Sequence, residues 1–192
     1  EAVEREVGGE RHLFFEATAR EAGVGTRYGF RLPEGLVVPD PASRYQPRGV
    51  HGPSEVVAPE AYAFRCHEWR GRPWAEAVVY ELHLGTFTPE GTFAAAARRL
   101  PYLAELGVTA VELMPVSSFP GARNWGYDGV LPYAPSQRYG RPEALKAFVD
   151  RAHELGLMVL LDVVYNHFGP DGNYLYVYAK EFFTSGHETP WG

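Results

Sequence analysis

Hydrophobic and polar positions follow two different rhythms along this chain, and the change comes near residue 75. Before it, short runs of strand character stand between turn residues. The clearest are Arg11-His12-Leu13-Phe14-Phe15-Glu16-Ala17 and Thr26-Arg27-Tyr28-Gly29-Phe30-Arg31-Leu32, with Gly23 and Gly25 between them. The stretch from Val38 to Ser43, followed by Pro47, Gly49, Gly52 and Pro53, is too dense in proline and glycine for regular structure and predicts a long surface connection. A small β-domain with its exit loop is therefore expected over residues 1–75.

From Ala75 onward strand and helix patterns alternate, which is the mark of a parallel α/β architecture. Val78–His83 reads as a first strand. A helical stretch opens at Phe93, and Pro101 is expected in the first turn of a second helix, where its missing N–H costs nothing, with Gly107 as the end. Val108–Met114 is the second strand, closed by Pro115. Pro142 opens a helix whose apolar residues Leu145, Phe148, Val149, Ala152 and Leu155 share one stripe, and Gly156 is placed to terminate it. Leu157–Val164 is almost continuously apolar and predicts a third strand covered on both faces.

Composition narrows the partners. The net charge is −6, and the 18 Lys and Arg are scattered without a cluster, which argues against a nucleic-acid partner, since neutralising phosphates needs a basic face. No run reaches the ~18 apolar residues of a membrane helix. The start, Glu1-Ala2-Val3-Glu4-Arg5, lacks the pattern of a signal peptide, and without a Met the true start is expected upstream. The single cysteine, Cys66, excludes an internal disulfide and reads as an inert packed thiol, which points to a reducing, cytoplasmic interior. Twelve Tyr, 11 Phe and 4 Trp suit a neutral, hydroxyl-rich ligand such as a sugar, although aromatics mostly fill cores.

Parallel α/β folds bind ligands beyond the carboxyl ends of their strands. Two segments occupy such places: Phe119 to Gly129 after the second strand, and Tyr165 to Pro170 after the third. Asp162, a carboxylate at the end of an apolar strand, needs a cation or hydrogen-bond donors and serves either a site or the scaffold. His167 is a candidate for a sugar hydroxyl, a metal or a loop cap. Trp125 and Tyr127 present a sugar platform or pack their own loop. Zinc-type Cys/His spacing, a phosphate-binding glycine loop and a G-x-S-x-G elbow are all missing.

Taken in order, Val111-Glu112-Leu113-Met114-Pro115-Val116, Asn124-Trp125-Gly126-Tyr127-Asp128-Gly129 and Asp162-Val163-Val164-Tyr165-Asn166-His167 resemble the motifs of the alpha-amylase superfamily. Val38–Arg44, Gly49–Ser54, Tyr80–Phe87 and Asn166–Tyr174 resemble its trehalose-releasing branch, the malto-oligosyltrehalose trehalohydrolases. The resemblance implies an α/β fold: the first three strands of a (β/α)8 barrel over residues 76–192, preceded by part of a small β-sandwich over 1–75. It implies hydrolysis of the α-1,4 bond next to a terminal trehalose, with branching and debranching enzymes as the nearest alternatives.

By the same resemblance, His167 would bind the sugar before the scissile bond and Tyr127 would stack on that ring. Asp128 and Trp125 are weaker substrate contacts. Asp162 would be structural, paired with an Arg from strand four, and Asn166 stands where many amylases bind calcium, although this branch is expected to need no metal or other cofactor. The partners implied are a maltooligosaccharide-type substrate and the remainder of the same polypeptide. The nucleophile and acid of such enzymes come from strands four and five, so no catalytic residue is expected here, and Asp171, Glu181 and Glu188 read as ordinary charges. The chain is thus expected to be an inactive fragment. A reading of another class, a non-catalytic glucan-binding fragment with residues 1–75 holding the glucan, stands beside it.

Overall fold

The structure is a computed structural model that describes residues 2–184 and 186; the Glu188 reading lies outside the described residues. Its first element is a hairpin of β1 (Ala2–Val7) and β2 (Glu10–Phe15), antiparallel about Gly8-Gly9. The run expected as one strand over 26–32 is split at Gly29. β3 (Arg27–Tyr28) and β4 (Phe30–Arg31) take different antiparallel partners, β6 (Ser54–Glu55) and β5 (Val37–Val38) respectively. A tight turn at Leu32–Gly35 brings β5 back at once, whereas β6 returns only after the proline-rich stretch, so one strand cannot serve both.

That proline-rich stretch is irregular, as its composition demands, but it is not loosely exposed. Val38, Ser43, Tyr45, Gln46, Val50 and Ser54 are buried. The Gln46 side chain replaces the missing ladder: its Nε2 donates to the carbonyls of Gly49 (3.2 Å) and Gly52 (3.1 Å), and its Oε1 accepts from Ser54 Oγ (2.6 Å).

The centre of the molecule is a three-stranded parallel sheet of β7 (Val79–Leu82), β8 (Ala110–Leu113) and β11 (Met158–Leu161), with β8 in the middle. Between β7 and β8 run α1 (Leu84–Phe87) and α2 (Phe93–Glu105). Between β8 and β11 run a small antiparallel pair, β9 (Ser117–Ser118) with β10 (Leu131–Pro135), and then α3 (Pro142–Glu154). After β11 come α4 (Leu175–Tyr178) and a 3-10 turn at Lys180–Phe182.

Pro101 does not start a new helix; α2 continues through it. A proline inside a helix forfeits one hydrogen bond and crowds the preceding turn, at about 3 kcal/mol. Phe93, Ala96, Leu100 and Leu103 lie fully buried on one face on both sides of it, so core packing carries the helix across. Thr92 caps its start, accepting from Ala95 N at 3.2 Å. Thr92→Ala is expected to cost about 1 kcal/mol, read as a shift in the urea unfolding midpoint.

α2 and α3 cover one face of the sheet, packing Phe93, Leu100, Phe148 and Ala152 onto Leu82, Val111 and Leu113. The other face is open, contrary to the expectation for strand three: on it Val79 is 41% exposed, Glu81 is exposed and Leu160 of β11 is only half-buried. Among the described residues no element lies over that face.

Residues 59–72 cross the outside of α3 as a strap. Asp150, on α3 and 0% exposed, accepts from Tyr62 Oη (3.1 Å), Arg65 N (3.0 Å), Arg65 Nε (3.1 Å) and Cys66 N (3.1 Å). Trp69 stacks on His153 at 4.7 Å, and Arg72 Nη1 donates to the Gly156 carbonyl at 3.0 Å. Burial alone would raise the Asp150 carboxyl, but the donations from Arg65, Cys66 and Tyr62 outweigh it and hold it below the usual carboxylate range. Burial and the charges of Asp150 and Glu154 push the Cys66 thiol up, away from the reactive thiolate form.

Candidate functional site

Parallel strands all deliver their carboxyl ends to the same side, and the segments that follow the three strands here build one loop cluster. From the end of β7, His83 Nε2 donates to the Asn124 carbonyl at 2.7 Å. Asn124 then folds the segment 124–129 around its own side chain. Its Oδ1 accepts from Gly126 N (2.6 Å), and its Nδ2 donates to Asp128 Oδ2 (2.7 Å). From beyond β11, His167 Nε2 lies 2.9 Å from the Tyr127 carbonyl. A carbonyl only accepts, so Nε2 carries the proton, and in the neutral ring Nδ1 is the acceptor nitrogen.

The loop after β11 lies tightly on this segment. Gly169 N donates to the Gly129 carbonyl at 3.2 Å, and a Cβ at Gly169 would meet the Asp128 carbonyl oxygen at 2.4 Å, so only glycine fits there. The residues singled out in the sequence thus fall into one cluster with different surroundings. Trp125 stands at the tip, 84% exposed, and Tyr127 is 41% exposed. Asp128, Asn166 and His167 are exposed, while Asp162 is half-buried. One oxygen of the Asp128 carboxylate is engaged in holding its own loop. Glu181 is exposed, and Asp171 lies against His51 at 3.2 Å.

The Tyr127 hydroxyl faces the Asp162 carboxylate. Partial burial pushes its phenol up, and the charges of Asp162 and Glu81 push it further, so it stays a neutral donor at physiological pH. Glu81 went unnoticed in the sequence. Strand alternation puts it on the open face of the sheet with Glu112, its register partner, and with Leu160, two residues before Asp162. Three carboxylates therefore share the open face below the loop cluster. The signal was present: a glutamate inside each apolar strand, at Val79-Tyr80-Glu81-Leu82 and Val111-Glu112-Leu113. His83 and Asn124 were also missed, because their roles depend on how the loop folds. No group of three His, Cys, Asp or Glu among the described residues is arranged to hold a metal ion.

What this arrangement offers is an open wall of aromatic faces and hydrogen-bonding groups at the carboxyl ends of parallel strands, the combination needed to hold a pyranose. Comparison with known proteins agrees in kind. The family model "Alpha amylase, catalytic domain" matches residues 52–184. A curated malto-oligosyltrehalose trehalohydrolase of Deinococcus radiodurans is 56% identical over 170 residues, covering 88% of this chain and 28% of the relative. A 1,4-alpha-glucan branching enzyme of Burkholderia thailandensis is 38% identical over 167 residues, covering 79% and 20%. Among solved structures, a "Putative alpha Amylase" from Salmonella typhimurium superposes with a TM-score of 0.89 at 54% identity, over 96% of this chain and 33% of that one. A pullulanase from Anoxybacillus complexed with maltotetraose gives 0.61 at 27% identity, over 69% and 24%. The chain thus spans a third or less of the length of each of these proteins.

Proposed function

Because the chain belongs to the alpha-amylase family of glycoside hydrolases, we propose that it forms the leading part of a retaining enzyme that cleaves the α-1,4 bond next to the terminal trehalose of malto-oligosyltrehalose. The observation that carries the choice of substrate is the difference in likeness: 56% identity to a trehalohydrolase against 38% to a branching enzyme. In this reading residues 76–192 supply the first strand and helix units of the (β/α)8 barrel. Residues 1–75, with their hairpin and short ladders, belong to a β-sandwich ahead of it, and the location proposed for the protein is the cytoplasm.

The chain's part in catalysis is to hold the sugar. Tyr127 stacks on the ring bound before the scissile bond, His167 hydrogen-bonds its hydroxyls, and Trp125 and Asp128 line the approach. Asp162 holds Tyr127 in place, and Asn166 supports the turn into the His167 loop. Retention needs a nucleophilic carboxylate and a carboxylic acid about 5 Å apart, one forming the glycosyl-enzyme while the other protonates the leaving oxygen. Glu81, Glu112 and Asp162 match none of the family's catalytic positions, and the pair is placed on strands four and five.

The test is direct. The whole polypeptide, given malto-oligosyltrehalose, should release trehalose and leave a shortened maltooligosaccharide, whereas these 192 residues alone should release none. Transfer of glucan segments to new α-1,6 branch points by the whole polypeptide, without trehalose, would replace this reading with a branching enzyme.

A further inference from the structure

His51 takes no part in the wall just described, yet it is bound on both ring nitrogens. Its Nε2 lies 3.2 Å from Asp171 Oδ1, and its Nδ1 lies 2.7 Å from the Tyr174 hydroxyl, whose ring also meets it edge-on at 5.8 Å. Both partners sit in the loop that carries His167, more than 100 residues along the chain. With the carboxylate on Nε2, that nitrogen carries the proton, and the neutral Nδ1 accepts from Tyr174.

Around this contact the surfaces are closely fitted. Gly172 has a φ of +88°, and a Cβ there would meet Val50 Cγ2 at 2.5 Å. Val50 is buried with Val130 and Leu131, and Phe168 packs against the same group. His51 itself is carried on the turn that the buried Gln46 side chain organises, so it is presented from a fixed base. An exposed hydrogen-bonded contact of this kind adds little stability in water. The arrangement's value is geometric: it holds the far end of the His167 loop, while His167 and Gly169 hold the near end.

We propose that His51 is a positioning residue for sugar binding, clamping the loop from Asn166 to Tyr174 so that His167 meets the substrate in one orientation. The proposal rests on the functional reading above and adds to it a residue that touches no sugar. His51→Ala in the whole polypeptide should raise KM for malto-oligosyltrehalose about three- to tenfold, the worth of one or two lost hydrogen bonds, and leave kcat within about twofold. Amide hydrogen exchange over residues 166–174 should rise in parallel. Tyr174→Phe, which keeps the ring and loses only the hydroxyl, should move both readouts the same way. The double variant should do no more than His51→Ala alone.

Unchanged exchange in His51→Ala would overturn the clamp, and faster exchange with an unchanged KM would overturn the positioning role. Absence of turnover by the unsubstituted polypeptide would defeat the functional reading instead, and the exchange data would then decide the clamp by themselves.

Discussion

Asp150→Ala is expected to release the strap over residues 59–72 from α3 and to lower the stability of the polypeptide by about 2–4 kcal/mol. The carboxylate is fully buried and accepts from the Tyr62 hydroxyl, two backbone amides and the Arg65 guanidinium. Removing one partner of a buried charge pair costs about 3–5 kcal/mol. Arg65 is largely exposed and rehydrates, which places this case toward the lower end. Urea unfolding reads the stability, and limited proteolysis within residues 59–72 reads the release. A strap as resistant in the variant as in the parent would refute the assignment.

The same carboxylate gives the effect a pH signature. Its folded value lies below its unfolded one of about 3.9, so its contribution is complete above about pH 5 and is lost progressively as pH falls through the unfolded and then the lower, folded value. Strap protection in the parent should therefore fail in acid. The Asp150→Ala polypeptide should lack this particular acid step, having no carboxyl there to protonate.

His167→Ala should reduce kcat/KM on malto-oligosyltrehalose by about 10- to 100-fold. A hydrogen bond to a sugar hydroxyl in a site being closed to water, together with the loop bond to Tyr127, accounts for a loss of that size. His167→Gln should recover part of it, because its amide can still donate to the Tyr127 carbonyl. Tyr127→Phe, which keeps the stacking face and loses only the hydroxyl facing Asp162, should cost far less. A His167→Ala enzyme with unaltered kcat/KM would remove this residue from the sugar site.

How much of this was legible in the sequence depended on whether the information was local. The three parallel strands and α3 were readable because their apolar rhythm is dictated by burial on the helix side, as with Leu145, Phe148 and Ala152. The break expected at Pro101 was a local rule overridden by the core on either side of it. The β9–β10 pair was invisible: β9 has only two residues, Pro132 and Pro135 lie within β10, and nothing nearby announces the pairing. In the site, the exposed residues after the second and third strands could be singled out from their position, and the family resemblance supplied the roles expected of them. Their supports could not. His83, Asn124 and Glu81 acquire their partners through register and loop folding, and Asp150 looks like any polar helix residue until a strap from 84 to 88 residues earlier covers it.

That separation also sets a timetable for the growing chain. The strap emerges from the ribosome well before α3 exists, and at about 5–20 residues per second the gap lasts roughly 4–17 s. During that interval Tyr62, Arg65 and Trp69 have no docking place, while the N-terminal hairpin can already close on itself. The strap is therefore a late-closing element. A nascent chain paused before residue 150 should expose it to proteases and chaperones, and the arrival of one buried aspartate ends that exposure.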